Sequence, residues 1–354
     1  MIMKKKIIPI FIPHQGCPND CVFCNQKRIT GKGGSIDFEE IKSDIEDSLK
    51  TIKPDTLIEI AFFGGSFTAI NTELQRKCLE IANYYKGIDA RIRDIRISTR
   101  PDAISKEKLD FLKMYNVTII ELGVQSLDEQ VLISSERGHD CLCVYSSSSQ
   151  IQQYGFTLGL QMMVGLPNDS QEKAIYTARE FVKIKPDYVR IYPVLVIKDT
   201  KLEEQMLQGV YSPISVEDSI EIVKKIYLLF VQNKIKVIRI GLQATQEINE
   251  NESVIAGPFH PAFGELVFSR LYRDYLEAFL IEHKIQESII VQVNKSLVSQ
   301  LVGNKKENIS YIYNKLNIRV RVKENNKLNI YELIFGNSKL SINDIYSRLF
   351  LIYF

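Results

Sequence analysis

Ile7-Ile8-Pro9-Ile10-Phe11-Ile12-Pro13-His14-Gln15-Gly16-Cys17-Pro18-Asn19-Asp20-Cys21-Val22-Phe23-Cys24 runs from an apolar, strand-like segment straight into three close cysteines. Their spacing is Cys-x3-Cys-x2-Cys, and no fourth cysteine is near. Three thiolates so placed suit three irons of a 4Fe–4S cluster and leave the fourth iron open. Two other readings stand beside this one. Zinc would take His14 as a fourth ligand, or the cysteines are simply structural.

Outward from this run, residues 7–12, 57–63, 92–98, 117–123, 157–164 and 188–196 read as strands. Several are apolar almost throughout, as strands buried on both faces are. Helical periodicity fills the gaps at 38–52, 72–85, 106–115, 141–154 and 171–183. Ser35-Ile36-Asp37 and Asn71 stand where helix caps belong. The alternation predicts a parallel α/β fold. Six βα units are too few to close an eight-unit barrel, so the expected form is an open, partial (βα)6 barrel.

The polar and glycine-rich clusters all fall at the carboxyl ends of these strands. They are Phe63-Gly64-Gly65-Ser66-Phe67, Ser98-Thr99-Arg100-Pro101-Asp102, Glu121-Leu122-Gly123-Val124-Gln125-Ser126 and Met162-Met163-Val164-Gly165-Leu166-Pro167. Turns at the opposite ends, such as Lys53-Pro54-Asp55 and Lys185-Pro186-Asp187, are ordinary connectors. In α/β barrels the carboxyl rim is where sites are built.

On these residues the chain resembles a radical S-adenosylmethionine (SAM) enzyme. More narrowly, it is similar to the radical SAM region of the Elongator catalytic subunit family, over about residues 7–242. The resemblance rests on the cysteine run, Phe62-Phe63-Gly64-Gly65-Ser66-Phe67, Thr99-Arg100-Pro101-Asp102, Gly123-Val124-Gln125-Ser126-Leu127-Asp128, Arg137-Gly138-His139 and Tyr192-Pro193-Val194-Leu195-Val196-Ile197-Lys198-Asp199-Thr200.

It implies that Cys17, Cys21 and Cys24 hold a 4Fe–4S cluster. SAM would bind the open iron and be cleaved reductively to a 5′-deoxyadenosyl radical. Phe23 would pack near the adenine, the backbone at Gly64 and Gly65, beside Ser66, would receive the amino group, and Gln125, Arg137 and Met163 would wall the pocket. Ser98 stands where the Elongator-type pattern has an acidic residue for the ribose, and a serine hydrogen-bonds more weakly. A low-potential donor such as ferredoxin or flavodoxin would supply the electron. No residue is singled out as catalytic.

Composition fits an ordinary globular protein: 354 residues, 45% hydrophobic and 25% charged, with a net charge of +2 that gives no global nucleic-acid signal. The N-terminal apolar run is about seven residues long, carries two prolines and is no signal peptide. No run approaches the roughly 18 apolar residues of a membrane span. Six cysteines make no disulfide scaffold, so a reducing cytoplasm is the expected home.

The domain expectation is a barrel at 1–200, an extension at 201–284 and a small α/β lobe at 285–354. Within the extension a helix is expected at 216–233, a strand at 236–241 and a helix at 265–282. The lobe reads as strand 289–293, helix 296–301, the turn Gly303-Asn304-Lys305-Lys306, helix 307–316, a hairpin of 318–323 with 328–335, and helix 343–353. That order resembles a KH RNA-binding domain, with Lys306 in the place of the second glycine of its Gly-x-x-Gly loop. From Glu282 to Phe354 there are 11 Lys and Arg against 6 Asp and Glu. Together, the Elongator-like core and the KH-like tail imply RNA, and specifically tRNA, as the substrate. The Elongator subunit's acetyltransferase domain is not expected, because about 70 residues after Glu282 are too few for it.

Two rival functions follow from the same residues. One is a radical SAM oxidoreductase on a small molecule or protein, the tail being a lid. The other is an RNA-binding protein with a structural cluster. Cys78, Cys141 and Cys143 read as packing residues, and His139 and His260 as structural or substrate-facing.

Overall fold

Seven parallel strands make the main sheet of the computed structural model, which describes residues 5–12, 17, 21–25, 35–242 and 253–354. In chain order, β1 (Lys5–Ile12), β2 (Leu57–Gly64), β3 (Ile92–Thr99), β4 (Ile119–Gln125), β5 (Thr157–Val164) and β6 (Tyr188–Pro193) lie side by side. The helices between them are α1 (Phe38–Thr51), α2 (Thr72–Ile88), α3 (Lys106–Met114), α4 (Glu129–Ser134), α5 (Cys141–Gln153) and α6 (Gln171–Ile184). The open parallel barrel expected from the alternation is what forms. The short α4 was not expected, because its six residues carry too little periodicity to register.

The next elements are β7 (Val196–Ile197), α7 (Lys201–Leu207), α8 (Val216–Gln232) and β8 (Lys236–Ile240). The strand expected at 236–241 proves to be a seventh sheet member, paired in parallel with β6. β1 and β8 are the two free edges, so the sheet curls without closing. β9 (Val254–Ala256) pairs antiparallel with β7.

Helices α1 to α8 each start where the sequence supplies a side-chain cap. Asp37 accepts hydrogen bonds from Glu39 N at 2.9 Å and Glu40 N at 3.2 Å, and Asn71 accepts from Glu73 N at 2.8 Å. Along most of their length the strands alternate between two environments. Ile58, Ile60 and Phe62 of β2, and Ile95 and Ile97 of β3, join the apolar core beneath the helices. Their neighbours Glu59, Asp94 and Arg96 face the concave side. A fully buried large side chain contributes about 1.5–3 kcal/mol, so this helix–sheet layer carries most of the barrel's stability.

α9 (Phe263–Glu282) threads two cores. Phe263 and Val267 pack into the barrel core, while Leu271, Tyr275, Leu276 and Phe279 belong to a second one. That second core is capped by β10 (Ser288–Val293), α10 (Val298–Val302), α11 (Glu307–Leu316), β11 (Arg319–Glu324), β12 (Glu332–Phe335), β13 (Ser338–Ser341) and α12 (Ile342–Tyr353).

Here the structure corrects the expected hairpin. β11 and β12 do not pair with each other; β10 lies between them, parallel to β11 and antiparallel to β12. The polar Glu324-Asn325-Asn326-Lys327 stretch mimics a hairpin turn but belongs to a longer crossing. The actual hairpin joins β12 to β13 through Gly336, whose φ of 59° suits a tight turn.

Candidate active site

The cysteine loop is held at the carboxyl rim by backbone bonds from one residue, Val22. Its N–H donates to Ser135 O at 3.2 Å, and its carbonyl accepts from Leu202 N at 2.8 Å. Its side chain is buried with Val131, Leu166, Val194, Val196, Leu202 and Tyr211. Cys24 N closes a turn onto Cys21 O at 2.9 Å. Val22 thus anchors the loop between the end of α4 and the start of α7. Sequence reasoning passed over it because its partners are more than 100 residues away, and only the run Cys-Val-Phe-Cys hinted at an inward apolar residue.

The β2 turn meets the same loop. Gly64 has φ 107°, and a Cβ there would stand 2.3 Å from Ile12 O, so only glycine fits beside the end of β1. Gly65 and Ser66 follow, both buried. Ser66 Oγ lies 3.2 Å from Cys17 Sγ. Thr68 braces the turn against β3, with its Oγ1 2.7 Å from Thr99 Oγ1 and donating to Ala103 O at 2.6 Å.

Two buried arginines face Cys21. Arg137 Nη1 is 3.0 Å from its sulfur and Arg100 Nη1 is 3.7 Å away. Arg137 also donates to Gly123 O and sits 6.0 Å over the Phe23 ring. Arg100 is fixed by Asp102, at 2.9 and 3.0 Å, and donates to Arg137 O. Positive charge beside a sulfur suits the thiolate form that binds metal.

Gln125 ends β4 at a bulge, with φ 74°, and is 9% exposed. Its Oε1 is buried with no hydrogen-bond partner among the described residues. An orphaned acceptor in so enclosed a place costs stability unless a ligand meets it. Met163 and Phe23 pack on the Val22 cluster. Ser98 lies on the concave face in register with Glu121, below this group. Gly303, Asn304, Lys305 and Lys306 lie in the C-terminal lobe and are no part of the rim.

Beneath the rim the concave side is filled by charge. Glu121, fully buried, accepts from Arg96 at 2.9 Å, Arg190 at 3.0 Å, Tyr188 at 3.2 Å and also Gln161. Arg96 continues to Glu59, and Lys5 joins Glu59 at 3.1 Å and Asp94 at 3.3 Å. Burial pushes the Tyr188 hydroxyl well up, so it stays a protonated donor to Glu121, and burial also raises Tyr192, whose hydroxyl accepts from Arg190 at 3.0 Å. The sequence signal for this network was the period-2 placement of Asp94, Arg96 and Ser98, and of Tyr188, Arg190 and Tyr192.

The other cysteines are unsuited to ligation. Burial pushes the Cys78 thiol up to about 12, and burial first, with Glu129, pushes Cys141 to about 12. Cys143 is raised to about 11, mainly by burial. His139 is held down at about 4 by burial and then by Arg137. His260, whose Nδ1 accepts from Ala262 N at 3.1 Å, sits with Phe259 and Phe263 beyond β8.

None of the three rim cysteines is in a disulfide. No three His, Cys, Asp or Glu side chains form a ready-made metal cage among the described residues. His14 lies outside those residues. The rim nevertheless fits a thiolate-bound group with an organic co-ligand. It offers sulfurs faced by guanidinium, a glycine cradle and an unmet amide oxygen.

Comparison with known proteins gives the class. The sequence matches the Radical SAM superfamily over residues 11–181 and the Radical_SAM C-terminal domain over residues 186–273. The chain belongs to the radical SAM superfamily, enzymes that use a 4Fe–4S cluster and SAM. Within it, the chain is 27% identical over 262 residues to the tRNA uridine(34) acetyltransferase of Methanocaldococcus jannaschii, covering 61% of this chain and 47% of that protein. It is 31% identical over 238 residues to an uncharacterized protein of the same organism, covering 62% of this chain and 71% of that protein. The Elp3 structure from Methanocaldococcus infernus, with residues 1–46 deleted, superposes with a TM-score of 0.62 at 22% identity, over 77% of this chain and 64% of that chain. This chain is thus an Elongator-like radical SAM enzyme, and it spans about half the length of the acetyltransferase it matches.

Proposed function

We propose that this chain modifies tRNA by radical chemistry, with Cys17, Cys21 and Cys24 holding the cluster and the rim residues holding SAM. A bound cluster and SAM supply a 5′-deoxyadenosyl radical that takes a hydrogen atom from substrate. The protein's part is to bind, orient and exclude water. Arg137 and Arg100 offset thiolate charge at Cys21. Gly64 and Gly65 would let the SAM amino group approach the backbone, and Phe23 and Met163 would pack its adenine side. Gln125 would offer its unmet oxygen, and Ser98, one step below the rim, would be a weak partner for the ribose. The Glu121 network closes the floor of the site, so substrate enters from the rim.

The observation that supports RNA as substrate is the turn at residues 303–306. Gly303 has φ 79°, and a Cβ there would stand 2.9 Å from Asn308 N. Lys305 and Lys306, both exposed, are held in left-handed backbone with φ 47° and 67°. Asn308, buried beneath, donates toward Ser269 O at 3.0 Å and Leu301 O at 3.1 Å and so pins the turn to α9. A KH domain clamps nucleic-acid backbone with a Gly-x-x-Gly loop between two helices, and in the KH-like lobe (residues 285–354) two lysines with no ion pair among the described residues would stand at that corner. The barrel (1–200) and its extension (201–284) would carry the chemistry.

We place the enzyme in the cytoplasm, with ferredoxin or flavodoxin as donor. No disulfide joins any of the six cysteines, which fits a reducing compartment. Nucleoside mass spectrometry of tRNA from a deletion strain tests the substrate. Loss of one modified nucleoside supports the proposal. Unchanged tRNA with altered metabolites would favour a small-molecule substrate.

A further inference from the structure

Of the 11 lysines and arginines between Glu282 and Phe354, three hold ion pairs: Lys315 with Glu277 at 2.7 Å, Lys339 with Glu332 at 2.8 Å and Arg348 with Glu282 at 3.0 Å. The other eight have none among the described residues. Three of those eight lie on one strand. Arg319, Arg321 and Lys323 occupy alternate positions of β11 and are all exposed, while Val320 and Val322 between them turn into the core. β11 is the outer strand of the sheet. The row therefore forms a cationic ridge along one margin of the sheet's solvent face.

Among the described residues no unpaired acid lies across the face to neutralise it. The residues in register are Ser288, Ile290 and Gln292 of β10, with Ile290 39% exposed. On β12 the outward residues are Glu332 and Ile334, and Glu332 is already taken by Lys339. Edge strands use charge to prevent strand-to-strand association. Three successive outward cations with no acid opposite repel one another and call for a polyanion. Alternate strand residues stand about 6.6 Å apart, so the ridge reaches about 13 Å, enough to meet several phosphates.

We propose that this sheet face is a second RNA-binding surface, on which Arg319, Arg321 and Lys323 engage the phosphodiester backbone of the structured RNA substrate. It rests on the tRNA reading above but uses residues that reading does not. The turn at 303–306 belongs to the helical layer, on the other side of the lobe's core. One RNA would then be held at two separate places, which fixes its orientation relative to the barrel. The contacts are to phosphate, so they position rather than read sequence.

The test uses the full chain, purified without oxygen, and an unmodified tRNA transcript followed by fluorescence anisotropy from 50 to 200 mM KCl. Substituting Arg319→Gln, Arg321→Gln and Lys323→Gln together should flatten the slope of log affinity against log salt by about 2–3, close to one per lost contact. Arg319→Lys with Arg321→Lys should keep the slope. Lys305→Gln with Lys306→Gln should reduce it further and independently. Unchanged slope and affinity in the triple variant, with binding intact in the unsubstituted chain, overturn this surface alone. So does a triple variant that aggregates while its monomer binds RNA normally, which would mark the row as edge protection. No salt-dependent binding by the unsubstituted chain overturns both this inference and the tRNA reading.

Discussion

Arg137 Nη1 stands 3.0 Å from the sulfur of Cys21, and the same guanidinium reaches Gly123 O on β4. One side chain therefore couples the cysteine loop to the strand that ends in Gln125. Hydrogen bonds to charged groups contribute about 1.5–3 kcal/mol, a factor of about ten to a hundred. Arg137→Ala should lower the rate of SAM cleavage by that order and reduce iron retained after reconstitution. Arg137→Lys should rescue little, because an ammonium cannot make both contacts in the guanidinium's fixed geometry. Iron and sulfide assays beside product chromatography check this.

Gly64→Ala places a methyl group against Ile12 O in a backbone conformation that alanine avoids. We expect about 2–4 kcal/mol of destabilisation, from strain and displacement at the end of β1. The cysteine loop follows β1 directly, so cluster content should fall as well. Urea unfolding measures the first effect and iron content the second.

Glu121→Leu removes the acceptor shared by Arg96, Arg190 and Tyr188. It leaves two buried guanidiniums undercompensated, at a cost of about 3–5 kcal/mol. Glu121→Gln, which keeps an acceptor of the same shape, should cost clearly less. Equal loss in both variants would mean that packing rather than charge decides.

Two buried groups make opposing pH dependences. His139 titrates at about 4 in the folded protein, below the ordinary 6.5. Between those values the unfolded chain binds more protons, so stability falls as pH drops from about 6.5 to 4. Asp169 is raised to about 6 from 3.8 by burial, despite accepting from Gly165 N and Ser170 N. There the folded protein holds the extra proton, so stability falls as pH rises from about 3.8 to 6. Each effect reaches about 2–3 kcal/mol and they largely cancel between pH 4 and 6. His139→Gln should uncover a stability that declines with rising pH across this window. Asp169→Asn should uncover the reverse, both read by urea unfolding at several pH values.

The rim was legible in the sequence because its parts are local. Gly64, Gln125 and the cysteines sit at strand ends, and a strand end is marked by its own residues. The Glu121 floor was not, because each strand contributes one or two charges and only the register between strands brings them together. Val22 escaped for a similar reason: its anchors, Ser135 and Leu202, come from α4 and α7, short elements with weak periodicity. In the C-terminal lobe the strands were legible but their partners were not, since a polar stretch after β11 looks like a hairpin turn whether or not the flanking strands pair.

SAM-dependent radical chemistry on tRNA, carried out at this rim, is what we propose. The most direct measurement is 5′-deoxyadenosine formed by the reconstituted protein with SAM, dithionite and a tRNA transcript, run beside Cys21→Ala. The account predicts product from the unsubstituted protein, more of it when tRNA is present, and none from Cys21→Ala. No 5′-deoxyadenosine from cluster-loaded protein, or equal amounts with Cys21→Ala, would contradict it.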